Sequence, residues 1–170
     1  MAARRIVVVL ATLLVALAAG LESVPALARE IVQFQGYRPG TIVVKTSERR
    51  LYYTLDSRRA LRYPVGVGRR GKQWSGDTRI TYKYVNPAWM PPAVVRRDIP
   101  SLPAVVPPGP KNPLGPRALS LSRQGYAIHG TNRPGSIGGF VSYGCIRMHN
   151  ADIIDLFERV RIGTRVIVLP

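Results

Sequence analysis

Apolar positions alternate over short stretches for most of this chain and switch to a helical period only near its end. Thr41 to Lys45 and Arg50 to Leu55 are β-branched and aromatic runs of strand length, and Thr46 to Arg49 between them closes a hairpin. Asp56 to Arg59 is a second turn, Ala60 to Val67 a third strand, and Thr78 to Val85 alternates well enough for another. Gly66 to Gly76, rich in Gly and Arg, reads as an exposed loop. Tyr126 to His129 and Ser142 to Met148 are two short apolar segments separated by a Gly-rich loop. After them Ile153, Leu156, Phe157 and Val160 recur at i, i+3, i+4 and i+7, which predicts an amphipathic helix over Ala151 to Arg161 with Asn150 as its N-cap. Gly163 stops the helix, and Thr164 to Leu169 is a last strand. Short strands at close spacing predict a mainly β protein built on an antiparallel sheet or sandwich.

Two regions break this rhythm. Asn86 to Pro116 holds ten prolines and no usable period, so it reads as a long ordered loop or lid, because proline removes ladder donors. Such loops inside compact domains are usually functional, and Trp89 within it is a candidate wall of a substrate groove. At the other extreme, Met1 to Arg5 is a short cationic start, Ile6 to Ala19 is almost unbroken apolar sequence, and Ala26-Leu27-Ala28 is an A-x-A cleavage pattern. That layout predicts a secretory signal peptide over residues 1–28, cut after Ala28. The apolar run is too short for a spanning helix, which needs about 20 residues. Residues 29–40 then form a lead-in and 41–170 one compact domain. Export predicts a periplasmic location, with membrane contact only through the signal peptide before cleavage.

Charge sharpens this picture. Removing Arg4, Arg5 and Glu22 from the 25 basic and 9 acidic side chains leaves 23 and 8, a formal +15 on the mature chain. The basic residues are spread as doublets such as Arg49-Arg50 and Arg96-Arg97, without a helix-turn-helix, RNP-like or zinc-finger pattern, and no nucleic-acid partner is expected. Anionic envelope polymers are the natural counterpart of a basic exported chain. A monomer is expected.

Cys145 is the lone cysteine, so no internal disulfide is open to it, and it is a buried small hydrophobe, an intermolecular bridge or a working thiol. Its surroundings favour the last. Gly144 before it lets the backbone turn sharply and frees successive N–H groups to face a substrate carbonyl, which makes Gly144 and Cys145 candidate oxyanion donors. His129 is a candidate base for the thiol proton, and Arg147 adds positive potential that favours thiolate. A zinc site from His129, Cys145 and His149 lacks a fourth ligand and the paired spacing of such sites, so no metal and no cofactor is expected; His149 reads as a surface residue.

The order His129-Gly130-Thr131-Asn132, Pro134-Gly135-Ser136-Ile137-Gly138 and Ser142-Tyr143-Gly144-Cys145-Ile146-Arg147-Met148-His149-Asn150 resembles the L,D-transpeptidase catalytic domain, or YkuD-like, family. Asn112 to Leu119, Gly125 to Gly130 and the Ile42–Tyr52 hairpin resemble it too, so the similarity runs from about Thr41 to Leu169. The resemblance implies an L,D-transpeptidase-like β-sandwich with one amphipathic helix after the catalytic cysteine and a long Pro-rich loop. It implies an exported enzyme acting on peptidoglycan stem peptides. Cys145 would attack the carbonyl joining the third stem residue to D-Ala and His129 would take the thiol proton. The Gly130 carbonyl would orient the ring. Arg147, Tyr143, Ser142 and Trp89 would border the substrate. The acyl acceptor would be a second stem, an amine of an envelope protein, a free D-amino acid, or water. A carboxypeptidase or hydrolase of the same fold and a non-catalytic wall-binding module are the alternatives.

Two positions depart from the family pattern. Members usually read Ser-His-Gly-Cys where this chain has Ser142-Tyr143-Gly144-Cys145, and tyrosine offers a hydroxyl but no cation at neutral pH. Trp74-Ser75-Gly76-Asp77-Thr78 stands where a Pro-Thr-Gly turn is usual, which predicts a different loop beside the groove.

Overall fold

A computed structural model describes residues 29–170; the expected signal peptide over 1–28 lies outside the described residues. Ten strands and two helices follow in the order β1 (Glu30–Gln33), β2 (Ile42–Lys45), β3 (Arg50–Thr54), β4 (Arg59–Gly68), β5 (Gly76–Val85), α1 (Ala93–Asp98), β6 (Arg117–Leu121), β7 (Ala127–His129), β8 (Phe140–Ser142), β9 (Ile146–Met148), α2 (Asn150–Arg159) and β10 (Arg165–Leu169).

Strand order is β1-β4-β3-β2-β10-β5-β6-β7-β9, and β9 pairs back onto β4 through Val65↔Met148 and Gly66↔Arg147. The sheet therefore closes on itself, so the expected sandwich takes a barrel-like form whose facing walls enclose one core. Closure also leaves few unpaired strand edges. β2, β3 and β4 form the predicted antiparallel meander, while β10 returns to lie parallel to β2. Ile42, Val44, Leu51, Tyr63, Val65, Ile80, Leu119, Ile128 and Met148 fill the core.

Helix α2 seals this core with Ile153, Leu156 and Phe157, followed by Val160 just past its end. Each such side chain contributes on the order of 1.5–3 kcal/mol when fully buried. The helix ends one to two residues earlier than its periodicity suggests, and Lys83 of β5 explains why the end is stable. Its ammonium donates to the carbonyls of Phe157 and Val160, both at 2.6 Å, which satisfies acceptors the last turn leaves open and places a cation at the negative end of the helix dipole.

Three expectations are revised. The lead-in is built into the sheet as an edge strand: Glu30–Gln33 pairs with β4, and Phe34 stacks on Tyr52 and Tyr37. The Pro-rich segment holds the short helix α1 and a bridge between Trp89 and Val106, so it carries a second helix beyond the one predicted. Asn112, buried inside that segment, holds it together by donating from Nδ2 to the carbonyls of Pro87, Val106 and Pro107. Finally, Asn150 is the first residue of α2 and its side chain does not cap it; the N-cap position belongs to His149, which is half-buried.

Candidate active site

Strand register brings the two candidate catalytic residues together. β7 and β9 run parallel with Ile128 opposite Ile146 and His129 opposite Arg147. Side chains alternate between faces with period two, so Cys145, one step before β9, shares a face with Arg147 and with His129. The thiol points at the Gly125 carbonyl, 3.9 Å away.

His129 is 4% exposed, and its Nδ1 lies 2.7 Å from the Gly130 carbonyl. A carbonyl only accepts, so Nδ1 carries the proton and Nε2 is left with its lone pair. Burial pushes the imidazole down to about 4; the Gly130 and Pro113 carbonyls oppose that shift and the Arg147 charge adds to it. Burial likewise pushes the Cys145 thiol up, against a hydrogen bond from Ala127 N–H and the Arg147 charge. Because Cys145 as a residue keeps part of its surface on solvent, that upward push is smaller than for a fully enclosed thiol. Both directions agree: the resting pair is neutral thiol and neutral imidazole.

The backbone around the cysteine is fixed from several sides. Gly144 has φ +123°, and a Cβ there would sit 2.1 Å from Tyr126 Cε1, so only glycine lets the Tyr126 ring close on the loop. Trp74 Nε1 donates to the Gly144 carbonyl at 2.8 Å. Ser142 Oγ donates to the Cys145 carbonyl at 2.6 Å and accepts from Gly144 N–H at 3.0 Å. This revises the oxyanion expectation: the Gly144 N–H is already engaged by Ser142, whereas the Cys145 N–H has no partner among the described residues. Ser142 is thus a buried brace of the turn rather than a groove residue.

The histidine segment is held in the same manner. Asn150 Oδ1 accepts from Thr131 N–H at 2.8 Å, tying the end of the cysteine segment to the residue after Gly130. Gly115 and Gly130 make room for that contact, since a Cβ on either would lie 2.5 Å from Asn150 Oδ1. A cavity of about 230 Å³ opens beside Thr131 and Asn150, with Asn86 and Asn112 also in its wall; Cys145 and His129 are not among its lining residues.

Tyr143 is engaged by the Pro-rich segment. Its hydroxyl donates to Asp98 at the end of α1 at 2.7 Å, Arg69 donates to the same carboxylate oxygen at 2.6 Å, and the Arg69 guanidinium lies 4.1 Å from the Tyr143 ring centre. The hydrogen bonds from Tyr143 and Arg69 hold the Asp98 carboxyl below the usual carboxylate range. Tyr143 therefore ties the Pro-rich segment to the cysteine loop. Arg147 is partly buried with its Nε unpartnered among the described residues, and burial lowers its pKa while the Cys145 charge opposes that. Trp89, expected in the groove wall, is half-buried and has no hydrogen bond or ring contact with the cysteine loop among the described residues; Trp74 supplies that indole. Among those residues no three His, Cys, Asp or Glu side chains cluster as metal ligands.

Sequence reasoning did not single out Trp74, Tyr126, Asp98 or Arg69. The only signal for Trp74 was its place in the loop that departs from the family turn.

The model of the L,D-transpeptidase catalytic domain matches residues 39–168. The probable L,D-transpeptidase YbiS of Escherichia coli K12 is 43% identical over 134 residues, which cover 74% of this chain and 43% of that protein. The putative L,D-transpeptidase YkuD of Bacillus subtilis is 37% identical over 131 residues, 76% of this chain and 66% of its own length. The chain thus spans less than half of the E. coli relative it matches. A crystal structure of L,D-transpeptidase 3 from Mycobacterium tuberculosis shares the fold, with TM-score 0.61 at 17% identity over 76% of this chain and 60% of that one.

Proposed function

The chain belongs to the L,D-transpeptidase catalytic domain family, and from that premise we propose that it is an exported cysteine acyltransferase acting on peptidoglycan tetrapeptide stems. The observation that carries the reading is the shared face of Cys145 and His129, with Nδ1 committed to the Gly130 carbonyl.

In this reading Cys145 Sγ attacks the carbonyl of the third stem residue while His129 Nε2 takes the thiol proton. The Gly130 and Pro113 carbonyls stabilise the imidazolium as it forms. The Cys145 N–H and the Arg147 charge face the developing oxyanion. As the C–N bond breaks, His129 returns its proton to the departing D-Ala amine, leaving a thioester. An acceptor amine then attacks the thioester, loses its proton to Nε2, and expels the thiolate, which recovers that proton. The thioester conserves the energy of the cleaved amide, so cross-linking outside the membrane needs no nucleotide. Stem-to-stem cross-linking and attachment of an envelope protein amine share every step up to the acceptor. Water in that place gives a carboxypeptidase.

Incubation of the mature protein with tetrapeptide muropeptides, read by mass, tests this. D-Ala release with a stem acyl group on Cys145, both abolished by Cys145→Ser, is the expected result. No D-Ala release together with no adduct from a carbapenem overturns it.

A further inference from the structure

The rim of the cysteine loop holds a cation, Arg123, that forms no ion pair among the described residues. Arg123 lies in the turn between β6 and β7, its backbone fixed by N–H donation to Thr78 Oγ1 at 3.2 Å and by acceptance from Tyr126 N–H at 3.2 Å. Its guanidinium carbon is 5.0 Å from the Trp74 ring centre and 5.2 Å from that of Tyr126, and the two rings are themselves 5.2 Å apart. The three groups form a nearly equilateral triangle. Both rings also rest on the nucleophile's backbone: Trp74 bonds the Gly144 carbonyl, and Tyr126 occupies the space a Gly144 side chain would need. Gly125, the residue before Tyr126, carries the carbonyl that the Cys145 thiol contacts at 3.9 Å.

Among the described residues no carboxylate forms an ion pair with Arg123. Of the nine acidic residues, Glu22 lies outside the described residues. Glu30, Glu48, Asp56, Asp77, Asp98 and Asp155 are paired with other basic side chains, and Asp152 and Glu158 lie on α2. A guanidinium stacked on aromatic faces keeps its in-plane N–H edge open, and that edge matches a carboxylate in bidentate fashion. Stacking also fixes the fork before a ligand arrives, so less side-chain entropy is lost on binding.

We infer that Arg123 is a receptor for a carboxylate that the donor peptide carries beside its scissile bond. The inference rests on the proposed acyl transfer from a tetrapeptide stem and names what holds that donor in register. Two carboxylates qualify: the terminal one of the leaving residue, whose carbon lies within about 4 Å of the scissile carbon by standard bond lengths, and a side-chain one on the acyl residue. Arg123 binds substrate and takes no part in proton transfer, so it governs KM and leaves kcat for the chemistry of Cys145 and His129.

The test measures equilibrium binding to Cys145→Ala protein, in which turnover is impossible, by isothermal titration. Three tetrapeptides serve as probes: the free acid, its C-terminal carboxamide, and the form amidated at the third residue's side chain. One carboxamide binds about 10- to 100-fold more weakly than the free acid, the loss expected for one charge-assisted pair, and its identity tells which carboxylate is read. Arg123→Gln in the same background binds all three with the affinity of that carboxamide, and Arg123→Lys, which keeps the charge but loses the fork, recovers part of the difference. Equal binding of the three peptides to Cys145→Ala, or discrimination that survives Arg123→Gln in protein of unchanged melting temperature, overturns the inference. D-Ala release by the parent with discrimination independent of Arg123 removes only the carboxylate receptor. Discrimination through Arg123 without any D-Ala release removes only the acyl transfer.

Discussion

Gly144→Ala is the sharpest perturbation the site offers, because two separable physical terms act at one atom. The first is backbone: φ +123° lies well outside the regions open to L side chains, and holding a non-glycine residue in such a conformation costs on the order of 1–3 kcal/mol. The second is steric: the added Cβ meets Tyr126 Cε1 at 2.1 Å, and that ring is backed by Trp74, so relief requires moving packed side chains at about 1–3 kcal/mol. Gly144→Ala is therefore expected to destabilise by roughly 2–6 kcal/mol. Tyr126→Ala removes only the steric term. Urea unfolding of the two single variants and the pair closes a double-mutant cycle whose coupling energy should be about 1–3 kcal/mol, favourable to the pair. Carbapenem acylation followed by intact mass reads the same cycle at the nucleophile; the pair should regain stability without regaining the parent's rate, since the φ strain displaces Cys145. A Gly144→Ala protein as stable as the parent, or a coupling energy under about 0.5 kcal/mol, would refute the assignment of this glycine to the Tyr126 contact.

Three other outcomes are expected. Lys83→Met removes two hydrogen bonds to the end of α2 and should destabilise by about 1–2 kcal/mol, seen as a lower urea midpoint without a change in slope. Because His129 is held near 4 in the fold, below its unfolded value, the unfolded chain binds the extra proton between about pH 4 and 6.5. Its contribution, on the order of 3 kcal/mol, is complete above that window and is lost as pH falls through it; His129→Gln should remove most of the parent's decline in melting temperature between pH 7 and 4.5, and thiol alkylation should climb with pH without an acidic plateau. Tyr143→Phe removes one exposed hydrogen bond to Asp98, so the melting temperature should hardly move while limited proteolysis within residues 93–98 accelerates; unchanged cleavage would show that Tyr143 does not hold that segment.

The parts of this molecule legible in the sequence are those whose stabilisation is local. The β2–β3 hairpin and α2 announce themselves because each carries its own period and its own turn or stop residue. β1 and β6 do not: Glu-Ile-Val-Gln and Arg-Ala-Leu-Ser-Leu are short, and the sheet alone fixes them as strands. Ser142 to Met148 reads as one apolar segment, yet it is two strands split at Tyr143 to Cys145, where the positive φ of Gly144 breaks the ladder. Cys145 and His129 stand out by residue type and by the glycines beside them. Trp74, Arg123 and Asp98 do not, since their meaning lies in contacts spanning 45 to 70 residues for the hydrogen bonds of Tyr143 and Trp74. Asn150 shows the limit most plainly: capping logic assigns its side chain to the helix, but closure of the sheet brings Thr131 N–H within 2.8 Å of it, and that bond is made instead.

The braces around the thiol and the imidazole end on backbone. Trp74, Ser142 and Asn150 bond the carbonyl or amide groups of Gly144, Cys145 and Thr131, Tyr126 closes on the Gly144 Cα, and the His129 ring hangs from the Gly130 carbonyl. The thiol and Nε2 carry almost none of that load. Such a division suits the proposed acyl transfer, in which an oxyanion donor and a base would be preorganised while the sulfur passes from thiol to thioester and back. It also accounts for the tyrosine that replaces a histidine beside the nucleophile. A cation at position 143 would act on the thiol through charge, but here the thiol is governed by burial, the Ala127 N–H and Arg147, and the Tyr143 hydroxyl bonds Asp98. Tyrosine at this position thus supplies a tether between the Pro-rich segment and the cysteine loop where a histidine would supply charge.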